Sequence, residues 1–215
     1  MKINIDILQL SDIYNLNFNV FYPLTKFVSK KQFINVSNNM KIEKNKFFPF
    51  PIYFSYKTKI KKNKIVKIYY NNNFICDLKV NDSFTFDINQ KKTIGYKIFS
   101  TKNKEHPGLK KFLFNHDYFI DCEIRNFKYN KKLLKFTDPK DLKKRLQKND
   151  VNSLVAFHTR NVPHKAHQWI HDLGLKKINN LLIQPLVGQY RKGEYKESII
   201  IKTNKFLVEK IYRNN

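Results

Sequence analysis

The hydrophobic pattern changes character near Thr137, and that change asks for two kinds of fold in one chain. Up to about residue 136, apolar residues come in short runs broken by turn formers, as strands do. Residues 64–70 (KIVKIYY) and 74–78 (FICDL) flank Asn71-Asn72-Asn73, which reads as a hairpin with an Asn-rich turn. Residues 83–88 (SFTFDI) alternate polar and apolar side chains, as a half-buried strand should. The two prolines in residues 47–54 (FFPFPIYF) suit an edge or the approach to a strand. Residues 94–99 and 118–124 read as two further strands, with a turn at 105–108 and a short helix at 109–114 between them. Residues 1–136 therefore form one expected domain, mostly β with small helices.

Beyond Thr137 the chain alternates helix and strand. Asp138 is placed to cap a helix starting at Pro139, with Leu142 and Leu146 one turn apart and Asn149-Asp150 at its end. Residues 153–157 (SLVAF) read as a short buried strand, and a helix follows from near His164. Ala166, Trp169, Ile170 and Leu173 should face inward on it, with Gly174 at its end. Residues 181–187 form the next strand, 188–194 a loop, and 195–212 an amphipathic helix with Ile199, Phe206 and Leu207 apolar. Strand, helix, strand, helix in this order predicts a parallel α/β unit over residues 137–215.

Composition removes several classes. No run of about 18 apolar residues exists to span a membrane, and Asp6 interrupts the apolar N-terminus, which lacks a signal-peptide cleavage site. Cys76 and Cys122 are too few and too far apart for a metal knuckle, and are expected as reduced, half-buried thiols of a cytoplasmic protein. The net charge of +25 invites a nucleic-acid reading. However, only five of the 42 basic residues are Arg, whose planar fork grips phosphate and base edges, and 26 residues are Asn. Dispersed lysines enriched together with Asn indicate a general pull on anions and no specific nucleic-acid partner.

Chemistry concentrates between residues 158 and 171, which hold four of the six histidines. A strand running into a helix through a polar turn aims backbone N–H groups and the positive end of the helix dipole at an anion. Arg160 stands just before that helix, and His164 and His167, three residues apart, share one of its faces. Such donors stabilise charge that builds on phosphorus under attack, and Arg160 can clamp an oxyanion through two bonds. A metal site is disfavoured, because no acidic or thiol ligand is near in sequence and helical zinc pairs fall four residues apart. His171 is expected on the helix surface, and Trp169 in the core.

The stretch VAFHTRNVPHKAH resembles the motif of the ATP sulfurylase (sulfate adenylyltransferase) family, in which a Gln-Thr-Arg-Asn turn leads into a paired-histidine helix. LLIQPLVGQYRKGEYKESII is similar to that family's second strand and following loop. NVFYPLTKFVSKKQF resembles its Phe-Ser-Pro-Leu segment, FFPFPIYF its Pro-Ile strand, and STKNKEHPG, with Tyr118 soon after, its Thr-x-x-x-x-His-Pro-Gly turn. These matches run in order from about residue 18 to residue 212.

The resemblance implies a PUA-like N-terminal domain and a partial Rossmann-like catalytic domain of the HxGH nucleotidyltransferase type. It implies conversion of ATP and sulfate to adenylyl sulfate and pyrophosphate, with Mg²⁺ on the nucleotide and no metal ligated by protein. Carried over by position, Arg160 holds sulfate, Asn161 orients phosphate oxygens, and His164 and His167 stabilise the transition state. His158, Thr159 and Gly188 fall in the substrate-binding segments. His158 stands where the family usually has Gln, which leaves open sulfate or a similar oxyanion. The family's Gly-Arg-Asp-His segment and second anion-binding Arg do not occur before Asn215, so the resemblance implies a fragment or a truncated member. Homo-oligomerisation is left open. The alternative, raised by the charge, is a non-catalytic anion- or RNA-binding module.

Overall fold

The computed structural model describes residues 1–42, 46–114, 117–133, 138–187 and 193–212. Contacts between residues divide the chain into two units, Met1–Pro139 and Lys140–Asn215.

The first unit is built on a five-stranded sheet. Its strands are β1 (Lys2–Asn4), β4 (Phe54–Tyr56), β5 (Ile65–Tyr70), β6 (Asn73–Phe84) and β7 (Tyr118–Arg125), in the order β1-β5-β6-β7-β4. A separate small ladder pairs β2 (Lys41–Ile42) with β3 (Lys46–Phe47). β1 runs parallel to β5, and every other pairing in the large sheet is antiparallel. The expected hairpin is present: Tyr70 pairs with Asn73 across a two-residue turn. Asn71 and Asn72 both take positive φ, 46° and 63°, which suits the twist of the flanking strands and which Asn tolerates. β6 runs on through residues 83 and 84, and its register shifts between Val80 and Asp82.

Four helices accompany the sheet: α1 (Ile7–Asn17), α2 (Lys30–Asn39), α3 (Ile88–Phe99) and α4 (Pro107–Leu113). Where the alternation of Ile94, Tyr96 and Ile98 reads as a strand, the structure has helix α3. Local capping decides it. The Asp87 carboxylate accepts from Gln90 N at 2.8 Å, and the Gln90 side chain accepts from Asp87 N at 3.1 Å. α1 and α2 begin with the same reciprocal box, Asp6 with Gln9 and Ser29 with Gln32. The core between helices and sheet is aromatic. Phe33 of α2 meets Phe119 of β7 at 5.2 Å, and Phe84 stacks on Phe119 at 5.6 Å. Cys76 and Cys122 are free and fully buried in this sheet, not half-buried. Burial pushes the Cys76 thiol up to about 12 and Cys122 upward as well, so neither is poised to react.

The second unit alternates helix and strand: α5 (Pro139–Lys148), β8 (Val155–Thr159), α6 (Lys165–Leu175), β9 (Leu181–Pro185) and α7 (Glu197–Leu207), which ends in a π-helical turn, Val208–Tyr212. β8 and β9 pair in parallel, Val155 opposite Leu181 and Thr159 opposite Pro185, the βα repeat of a Rossmann-like sheet. α6 lies close on β8, because a Cβ at Gly174 would meet Val155 Cγ1 at 3.0 Å. The helix is turned from its expected orientation. Trp169, Ile170 and Leu173 are exposed, at 64%, 45% and 42%, and Ala166 is exposed too, whereas His171 is buried. Phe157 on β8 explains the turn, since it receives the His167 and His171 rings. No helix among the described residues is long and apolar enough to cross a membrane.

Candidate active site

The site begins where β8 ends. Thr159 is buried, and its hydroxyl accepts from Asn161 N at 3.1 Å, which tightens the turn out of the strand. Its carbonyl accepts from Leu186 N at 2.7 Å, so the segments leaving β8 and β9 are tied at one level. His158, one residue earlier, is exposed opposite Gln184. Asn161 is exposed beyond the turn.

His164 occupies the cap position of α6 with φ −145° and ψ 174°, and its side chain makes no cap hydrogen bond to the first amides of the helix. Backbone donors and the positive dipole end are left facing outward together. The His164 and His167 rings stack at 3.9 Å, with 26° between their planes. Two imidazoles so close repel as cations. Burial, and then His164, lower the pKa of His167, while its contact with the Val162 backbone pulls the other way. His167 Nδ1 is buried with no hydrogen-bond partner among the described residues.

Arg160 lies half-buried beside this helix end, its Nε 3.3 Å from Glu194 Oε1. That carboxylate pairs with the Nε edge of the guanidinium. Gly188 lies outside the described residues. A groove of about 650 Å³ adjoins the turn, lined by Pro163, His164, Lys165 and Lys202 and, for the larger part, by apolar side chains of α7 such as Ile199 and Phe206.

The structure thus brings Thr159, Arg160, Asn161, His164 and His167 to one strand-to-helix turn. Sequence reasoning misses the groups that fix them. Glu194 orients Arg160, Phe157 seats His167 and His171, and Tyr212 OH lies 3.0 Å from His171 Nδ1. These four pairings join residues of different elements, and no local pattern announces them.

Residues 1–129 match the family described as PUA-like domain, and residues 135–215 match ATP-sulfurylase. The sulfate adenylyltransferase of Pyrococcus abyssi is 28% identical over 214 residues, covering 98% of this chain and 56% of that protein. That of Thermococcus onnurineus is also 28% identical, over all of this chain and 56% of its own length. That of Entamoeba histolytica is 22% identical over 98% of this chain and 52% of its own. The chain spans about half the length of the curated relatives it matches. A solved structure titled hexameric APS kinase from Thiobacillus denitrificans superposes with a TM-score of 0.65 at 14% identity, over 99% of this chain and 38% of the other, a likeness of fold.

Proposed function

The chain belongs to the ATP sulfurylase family, a PUA-like domain followed by the first part of a catalytic domain, and we propose that it carries the anion- and phosphate-binding half of a sulfate adenylyltransferase site. The reading rests on the stacked His164–His167 pair at the uncapped start of α6, with Arg160 beside it.

In the proposed reaction MgATP and sulfate are the substrates. A sulfate oxygen forms a new bond to the α-phosphorus of ATP as the bond to pyrophosphate breaks, and pyrophosphate leaves with the electron pair. No proton need move, because sulfate attacks as a dianion. The demand on the protein is placement and neutralisation of charge. Arg160 holds sulfate through its guanidinium while Glu194 pairs with its Nε edge. His164, His167 and the first amides of α6 donate to the phosphate oxygens that gain negative charge, and Asn161 orients them. Thr159 supports the turn from beneath, and His158 adds a donor in the anion's neighbourhood. Gly188 is assigned to nucleotide binding on the family resemblance alone.

Titration calorimetry with adenylyl sulfate tests the binding half of this reading. Wild-type chain should bind it, and Arg160→Ala should weaken binding by roughly 10- to 100-fold, the loss of a charge-assisted pair. A wild-type chain that does not bind, or an Arg160→Ala chain that binds equally well, would falsify the assignment. Pyrophosphate release with sulfate and with selenate then identifies the oxyanion that His158 admits.

A further inference from the structure

A cavity of about 340 Å³ opens in the N-terminal unit, built entirely from that unit's residues. Its sides are the first turns of α1, the segment approaching β4, the end of α3 and one face of α4. Aromatic rings form much of the lining. Phe50 stands edge-on to Phe99 at 6.0 Å, and Tyr53 edge-on to Phe112 at 6.1 Å. Gly108 lets Phe99 into this wall, since a Cβ there would meet Phe99 Cε1 at 2.5 Å.

The polar groups opposite are mostly engaged. Asp6 accepts from the backbone N–H of Leu8 and Gln9, and Gln9 donates to the Ser55 carbonyl at 3.1 Å. Asp12 differs. It lines the same cavity, and no described residue gives it a hydrogen bond or a salt bridge. A largely buried carboxyl without a partner, facing an aromatic cavity, is the composition of a small-molecule site.

We propose that this cavity binds a flat heteroaromatic ring with an amidine edge, the aminopurine and aminopyrimidine class, the edge pairing with the Asp12 carboxyl and the ring lying among Phe50, Phe99 and Phe112. The groups facing Asp12 set its state. Burial and then the Asp6 charge push it up to about 7, against the pull of Lys111. Near neutral pH it presents a carboxylic acid about as often as a carboxylate. An amidine edge fits both. The acid donates to the ring nitrogen and accepts from the amino group, and the carboxylate accepts from both once the ring is protonated. A permanent cation would meet the repulsion of a chain carrying +25, which a neutral base avoids. The flat faces suit walls of edge-on rings.

Saturation-transfer NMR on the full chain tests this with free adenine and cytosine against 9-methylpurine and pyrimidine, which lack the amino half of the edge and any ring N–H that could replace it. Adenine or cytosine should bind, the counterparts about tenfold or more weakly, and Asp12→Ala should weaken adenine about tenfold. Equal binding of the two kinds of base, or no binding at millimolar concentration, overturns the proposal on wild-type protein alone, whether or not Asp12→Ala folds. Adenine binding that survives Asp12→Ala and is displaced by adenylyl sulfate also overturns it, by assigning the base to the second unit. The proposal stands independently of the sulfate adenylyltransferase reading.

Discussion

The Asp12 carboxyl, held up at about 7 by burial and by Asp6, titrates where most carboxyls are long ionised. Its unfolded value is near 3.8, so the folded chain retains a proton that the unfolded chain releases between about pH 4 and 7, and stability falls as pH rises through that window. Asp12→Asn should therefore stabilise the chain at pH 7.5, on the order of 1–2 kcal/mol once the opening of the cavity to water is allowed for, and add little at pH 4. Thermal melts at the two pH values measure it, and equal melts at pH 7.5 would show Asp12 to be well solvated. His167 and His171 act in the opposite sense. Burial, and then the neighbouring imidazole, lower both. The unfolded chain protonates first on acidification, so their contribution is present above the ordinary histidine range and is lost as pH falls below about 6.5. Replacing His171 by Phe, which can lie against Phe157, should flatten the loss seen between urea titrations at pH 7 and pH 5. An unchanged difference would shift the acid sensitivity to other groups.

Three helices of the first unit begin with the same reciprocal cap, an Asp or Ser whose side chain meets a Gln three residues on. Asp87→Ala should cost about 1 kcal/mol of stability by removing one such cap, read as a shift in denaturant midpoint. No shift would mean that tertiary packing alone holds α3. The spacing of Asp6 with Gln9, Ser29 with Gln32 and Asp87 with Gln90 was available as a signal, but interspersed aromatics and the alternation at Ile94 to Ile98 obscure it. The hairpin was legible because two consecutive Asn residues between apolar runs specify both turn and register. α6 was legible in extent but not in orientation. Its apolar residues Trp169, Ile170 and Leu173 look like an inward face until Phe157 takes the two imidazoles, a contact between elements that local spacing cannot express. Arg160, His164 and His167 were readable together because one short turn carries them all. The Glu194 that braces Arg160 was not, because the pair joins separate loops.

The two units differ in how much apolar surface they bury. The first holds a continuous core from Ile3 to Cys122, whereas Ile200 and Leu207 are the buried hydrophobics among the described residues of the second. A two-stranded sheet with so thin a core should open more readily than a five-stranded one. Hydrogen exchange is expected to be faster by about tenfold or more for amides of β8 and β9 than for those of β6 and β7. Equal protection would mean that the second unit draws stability from somewhere other than its own core. Trp169, the sole tryptophan, points outward from the helix that begins at the paired histidines. Excited at the red edge of protein absorption, the chain therefore emits from one place. A ligand that settles on the α6 turn can register as a change in that emission, while the aromatic cavity of the first unit stays optically silent, so the two sites can be told apart in solution without a label.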